Sequence, residues 1–457
     1  MSSKLFLYFF TLFFISLGLK AQQDSIPTIN NSKFTGYITL AGFAHSNDAL
    51  PFWLYTNTNA TLNSNSNLRL RTGISREYQF KNNDTLNIGA GVNGADGFSS
   101  KVQIEELYAS YTKKWFNIIA GVKHNDVPFD GLSVINGNIL WTGNARSIPG
   151  VQIKTSKPIK INDWFSFTSS LAHYELNDDR FVAGAKIHHK SLHVGFKLSA
   201  NSNISVGLEH YVQWGGLSPE FGQQVQSFKD YIKLALGLSG GNTRNDQINS
   251  LGNHLGSYQL KYLLKTNKLN YTLYHQTLFE DTSGRELSNF PDGVWGIVLQ
   301  PKESSYINSI LFEYVQTVSQ SGSPLEVEGE NQQSGADNYF GNSIYRSGWT
   351  YQNAIIGLPF ILRNATNTFT TNNRTYALHA GAAGSYNHFD YSLKSSLVKN
   401  LGTYGQRYEP TEKAMYLFGS LSYNSNYGIF KVLSGLDMSN IQTSTVGAGV
   451  GYEYRFK

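Results

Sequence analysis

The chain has no cysteine. That excludes a disulfide framework and any thiolate metal site. Charged residues make up only 15% of it, and the formal net charge of +5 is too small to argue for nucleic acid as a partner. Beyond the N-terminal segment no apolar run approaches the ~20 residues of a membrane helix. Mean hydropathy is −0.31, which excludes a bundle of such helices. Proline is scarce, at 11 residues. What is abundant is glycine (43), tyrosine (28) and phenylalanine (28). Modest hydrophobicity with many aromatics and glycines fits strands that are apolar on one side only, as in a barrel, although a large soluble all-β protein shares that composition.

Period-two alternation carries the fold assignment, because successive strand side chains point to opposite faces. In Thr445–Lys457, Val446, Ala448, Val450, Tyr452, Tyr454 and Phe456 share one face. Gly447, Gly449, Gly451, Glu453 and Arg455 share the other. Leu68, Leu70, Thr72, Ile74, Tyr78 and Phe80 alternate with Arg69, Arg71, Gly73, Ser75, Glu77 and Gln79. The pattern recurs through 86–92, 107–122, 192–208, 258–273 and 389–397. It predicts an all-β, transmembrane antiparallel barrel, apolar outward, with the last strand closing against Phe34–His45. Runs near ten residues match a tilted membrane strand rather than the ~5–6 residues of typical soluble ones. Tight turns alternate with long connections over 94–102, 124–150, 276–302 and 319–371. A soluble carbohydrate-active β-protein is the alternative, since alternation alone does not prove lipid contact.

Met1–Ala21 has the form of a secretory signal: Lys4, then an apolar core over 5–19, with Ala21 as a cleavage residue. The reading is therefore a signal peptide at 1–21 and one outer-membrane barrel domain over 22–457. Ser218–Leu238 is expected to be partly helical, in a plug or cap at one end of the barrel. Ser218-Pro219 suits a helix start, and Phe228, Tyr231, Ile232, Ala235 and Leu236 recur at helical spacing. A strand over Tyr231–Leu238 is the competing reading.

Motifs that imitate enzymes fail on context. Gly89–Gly94 fits G-x-G-x-x-G but precedes no helix, so a dinucleotide site is rejected. His188, His189 and His193 read as a solvated hairpin turn lacking a carboxylate partner, so no metal is expected. Glu280, Asp281 and Glu303 give no carboxyl spacing from which to argue hydrolysis. No catalytic residue and no cofactor is assigned.

Several stretches, in order, resemble the Wzi-type capsule-assembly proteins of the bacterial outer membrane. They are ALPFWLYTN at 49–57, LWTGNARSIP at 140–149, SFKDY at 227–231, LGNHLGSY at 251–258, FEDTSG at 279–284, DGVWG at 292–296 and YRSGW at 345–349. The resemblance implies a barrel of about 18 strands with long outer loops. It also implies a non-enzymatic, lectin-like role: holding capsular or other surface polysaccharide at the cell surface of a Gram-negative bacterium. Outer-membrane lipid and the barrel-assembly machinery are the other expected partners, and the chain is expected to act as a monomer. A porin-like channel for small solutes is the alternative.

A polysaccharide site needs aromatic faces and fixed polar groups, with Arg or Lys where the polymer is anionic. Trp141, Asn144 and Arg146 supply that combination within one loop, and Tyr345, Arg346 and Trp349 repeat it. Trp295 is expected in a further long loop. The same aromatics can instead pack the loops into a rigid plug, which is their commoner use. Arg69, Arg71 and Lys123 are expected to face the lumen. There they either draw an anionic polymer or pair with Glu77, Glu105 or Asp126.

Overall fold

The computed structural model describes residues 29–236, 252–280, 282–303, 306–322 and 337–457. The expected signal segment and Asp281 lie outside them. The wall consists of β1 (Ile29–His45), β2 (Leu68–Phe80), β3 (Thr85–Ala95), β4 (Val102–Lys113), β5 (Phe116–Val122), β6 (Gly150–Thr155), β7 (Phe165–Glu175), β8 (Lys186–Lys197) and β9 (Ser202–Trp214). It continues with β10 (Asn253–Lys265), β11 (Leu269–Gln276), β12 (Gly293–Pro301), β13 (Ser309–Gln316), β14 (Thr375–Tyr386), β15 (Phe389–Gly402), β16 (Arg407–Ser425), β17 (Gly428–Ser439) and β18 (Thr445–Phe456). Ile159–Lys160 extends β6 along the same partner, β7. Each strand pairs antiparallel with its sequence neighbour, and β18 pairs with β1, from Gly36 opposite Phe456 to His45 opposite Gly447. The result is a closed 18-strand barrel with no free edge.

The alternation appears as two faces. Leu40, Leu70, Ile74, Leu192, Leu208, Leu260, Leu393, Leu421 and Val450 are exposed on the outside. Gly73, Asn93, Ser110, Gly447 and Glu453, one residue out of phase with these, are buried on the inside. A one-residue slip would exchange the faces, so the apolar band fixes the register. Short turns lie at one end, where exposed Trp115, Trp164, Phe389, Tyr427, Phe430, Tyr452 and Tyr454 form an aromatic girdle. Short turns mark the periplasmic end of such barrels, and long loops the outer end.

The long connections fold back into the lumen and fill its outer half. Leu132, Ile135, Ile139, Leu140, Tyr339, Phe340, Trp349, Leu358 and Phe360 form one buried cluster with the inward wall residues Val294, Val298, Leu311 and Val315. A fully buried aliphatic side chain contributes roughly 1.5–3 kcal/mol, so this plug has a core of its own. Polar wall groups fasten it. Glu313 accepts from the Ser133 hydroxyl at 2.6 Å, from the Val134 amide at 2.8 Å, and from the Tyr274 hydroxyl. Gln276 accepts from the Ile139 amide and donates to the Gly137 carbonyl, at 2.9 and 2.8 Å. The plug's helical turn, α1 (Phe52–Tyr55), follows Pro51. Its Phe52 amide donates to Asp437, 2.7 Å away, and the Phe52 ring stacks on Tyr416. Pro51 can come this close because the wall beneath it lacks side chains: a Cβ on Gly435 would lie 2.7 Å from Pro51 Cβ.

Two expectations are corrected. The second helix, α2 (Phe228–Leu236), starts later than expected, capped by Ser227, whose hydroxyl and amide both reach Asp230. It lies on the outer face of the wall rather than in the plug; residues 237–238 of the expected span are outside those described. His188, His189 and His193 are not in a turn. All three lie within β8, and the preceding connection is 176–185.

Candidate functional site

Most of the loop residues expected to meet a glycan hold the plug together. The Trp349 indole is 0% exposed and donates to the Leu140 carbonyl at 2.7 Å. Tyr345 is buried, with its hydroxyl on the Gly215 carbonyl. Asn144 cross-braces two loops: its carbonyl accepts from the Asn57 amide and its NH2 donates to the Ile355 carbonyl, at 3.2 and 3.0 Å. Arg146 is half-buried and donates to the Ile104 carbonyl at 2.6 Å; burial lowers its pKa. Arg346 reaches the outer surface, ion-paired with Glu220 and over the Phe181 ring at 4.8 Å. Trp295 is not in a loop. It lies in β12 on the outward face, 38% exposed and stacked on His275 with centroids 3.7 Å apart. That is the place of an outer-girdle aromatic, away from the lumen. Asp292-Gly293 ends the connection earlier than its composition implied.

Arg69, Arg71 and Lys123 face the inside of the barrel. Arg71 is ion-paired with Glu105, which also accepts from His124 at 3.1 Å. Arg69 donates to Thr61 at 3.2 Å and lies over the Phe43 ring at 6.0 Å. Lys123 Nζ sits 4.2 Å from the Tyr108 ring centroid. Pairing therefore accounts for Arg71, whereas Lys123 is directed toward an open space.

That space is a chamber beneath the plug, of about 880 Å³. Its roof is Trp141, Asn138, Tyr174 and Tyr211, and its walls run down to Thr112, Asn117 and Ser156 beside the short turns. Trp141, the one sequence-expected aromatic that lines it, is held by Tyr174 at 5.0 Å and Tyr211 at 5.8 Å. Around the rings stand Asn136, Gln152, Thr168, Ser170 and Ser191, with Lys123, Lys154 and Lys261 set against Asp126 and Glu209. Glu209 also corrects the reading of the histidines: it accepts from His189 Nε2 at 2.6 Å and lies 3.6 Å from His193 Nε2. Among the described residues no cluster of three or more His, Asp or Glu is placed to hold a metal. Sequence reasoning missed Lys154, Lys261, Glu209 and Tyr211. Strand parity was their only signal, since each is inward in its own strand.

A second group of missed residues stiffens the roof. Arg363 donates to Asn367 Oδ1 at 2.8 Å, to Thr370 at 3.1 Å and to the Arg346 carbonyl. Burial lowers its guanidinium to about 10. Arg180 donates to the carbonyls of Gly348 and Thr350, and burial lowers its pKa also. These arginines direct their donors to loop carbonyls and loop side chains, which preorganises the plug.

The family model for the capsule assembly protein Wzi matches residues 70–388, well over half of the chain. The chain belongs to the Wzi capsule-assembly family. Among solved structures, the Escherichia coli outer-membrane protein Wzi, a carbohydrate-binding β-barrel involved in group 1 capsule assembly, is similar at TM-score 0.57. Identity to it is 14%, over 92% of this chain and 84% of that one. Pseudomonas aeruginosa OpdQ is similar at TM-score 0.50 and 8% identity, over 94% of this chain and 99% of that one. At those identities the likeness is one of fold. No curated protein matches the chain significantly. This Wzi-family member is thus an outer-membrane barrel whose lumen is occupied by its own loops, with a hydroxyl-, amide- and lysine-lined chamber beneath an aromatic roof.

Proposed function

We propose that this Wzi-family barrel binds a surface polysaccharide non-enzymatically and helps assemble or hold a capsule at the cell surface. The observation that carries it is the chamber roof: an aromatic face at Trp141, surrounded by amides and hydroxyls of the plug and of the wall strands. Sugars present apolar C–H faces and hydroxyls together, and this lining offers a partner to each. Lys123, Lys154 and Lys261 would favour a polymer carrying carboxylates or phosphates. The packed plug speaks against a solute channel, because its apolar core spans the lumen. Family membership and the E. coli Wzi fold support the same reading. The chain would reach the membrane through its N-terminal signal and the barrel-assembly machinery, and would act as a single barrel.

The test is retention of the host's own purified surface polysaccharide by the immobilised barrel, alongside capsule staining in a deletion strain. Retention and a thinner or shed capsule are expected. No retention together with an unchanged capsule would overturn the proposal.

A further inference from the structure

The outer wall of a membrane barrel presents apolar side chains at every second position, yet four adjacent strands break this rule near the long-loop end. In β7–β10 the residues in phase with exposed Leu171, Leu192, Leu208 and Leu260 become His173, His188, Lys190, His210 and His254. The ladder places them side by side: His173 opposite His188, His188 opposite Val212, and Val212 opposite His254. Polar side chains on a lipid-facing wall are costly unless covered.

Helix α2 covers them. Tyr231 places its hydroxyl 2.9 Å from His188 Nδ1, and its ring packs on His173, His188 and Trp214 at centroid distances of 6.2, 5.2 and 5.2 Å. Leu234 is buried against Val212 and Trp214, and Lys190 donates to the Ala235 carbonyl. Beside them, His210 Nε2 lies 2.9 Å from His254 Nδ1, so these two rings partner each other. The helix thus follows the polar patch, some four residues up the strands from Leu192 and Leu208, or roughly 13 Å at strand rise.

Its opposite face is unusual for a helix in water. Phe228 is 79% exposed and Ile232 43% exposed, one turn apart on one stripe, and exposed Lys229 begins a second stripe that Lys233 continues. Phe228 and Ile232 continue the exposed apolar band of the wall outward, while the two lysines bring positive charge to its upper border. We propose that α2 is an interfacial anchor. Its stapled face seals the histidine patch, and its free face lies in the outer leaflet, with Phe228 and Ile232 among acyl chains and Lys229 and Lys233 on anionic headgroups. The occupant is an anionic lipid surface; the lysines supply the charge complementarity, and continuity with the wall's own lipid-facing band fixes the depth.

The absence of cysteine makes the test direct. Single replacements Phe228→Cys, Ile232→Cys, Leu208→Cys and Gly405→Cys are spin-labelled in the full barrel. They are reconstituted into vesicles of phosphatidylcholine with or without phosphatidylglycerol. Collision with oxygen and with a water-soluble nickel complex is then read, and heat-modifiable gel mobility confirms that each barrel is folded. Labels at 228 and 232 should favour oxygen, as at Leu208 on the wall, and not nickel, as at Gly405 in a loop. The preference should deepen in the anionic vesicles, and Lys229→Gln with Lys233→Gln should abolish that deepening. Nickel access equal to that at Gly405 would overturn the anchor. Shielding from both reagents would overturn it in favour of a second copy covering the face. Equal depth in both vesicle types would refute the anionic component.

Discussion

Replacing Trp349 with alanine should open the plug while leaving the wall standing. The side chain is fully buried, its indole donates to the Leu140 carbonyl at 2.7 Å, and its ring lies 5.4 Å from Tyr211 and 6.5 Å from Trp141. Truncating a buried tryptophan costs about 3–5 kcal/mol, and the orphaned carbonyl about 1–3 kcal/mol more where water cannot reach it. The loss falls on segments 123–149 and 337–374, which pack on one another through this ring, and not on the backbone ladder of the wall. The plug should therefore sample open states in a barrel that still migrates as folded. Conductance in planar bilayers measures this: the parent barrel should stay closed and Trp349→Ala should show intermittent openings, with faster proteolysis within 337–374. Trp349→Phe keeps most of the volume and loses only the hydrogen bond, so it should fall between them. A variant as closed and as protease-resistant as its parent would refute the assignment of these loops to a packed plug.

Two further outcomes follow from wall and plug. Replacing Tyr454 and Phe456 with serine removes one girdle ring and the ring stacked beside it at the β18–β1 seam, and should lower the amount of folded barrel in membranes. Heat-modifiable gel migration measures this, and normal levels would count against the closing-strand assignment. Gly435→Val places a side chain where Pro51 sits and should destabilise α1 docking by about 1–3 kcal/mol. Thermal melting should show the loss, and Pro51→Gly in the same chain should restore part of it.

The wall was legible in the sequence because its signal is local. Period-two alternation in β2, β8 and β18 needs only neighbouring residues, and the pairing of β18 with β1 follows once the barrel must close. The plug was legible only as a possibility. Trp349 and Tyr345 carry the composition of a binding loop and of a packed loop alike, and the choice between them depends on partners more than a hundred residues away, such as Leu140 and Tyr211. His188-His189 was misread as a turn for a related reason. A polar pair interrupting an apolar face ends a strand in most contexts, but here it marks a stretch of wall covered by α2. The interruption was itself the signal that something lies over β7–β10. Trp295 was misplaced because the Asp292-Gly293 break and Gly296 resemble loop punctuation, although Val294, Val298 and Trp295 already alternate. The chamber's polar lining was hidden because it is shared among seven strands, β4–β10, one long connection and one turn.

The Trp141 roof of the chamber is the proposed contact with polysaccharide. Calorimetric titration of the folded barrel with the host's own surface polysaccharide, comparing the parent with Trp141→Ala, tests it most directly. Saturable binding is expected, falling at least about tenfold in the variant, the equivalent of roughly 1.4 kcal/mol, with unchanged gel mobility. Equal affinity in the two proteins would contradict it.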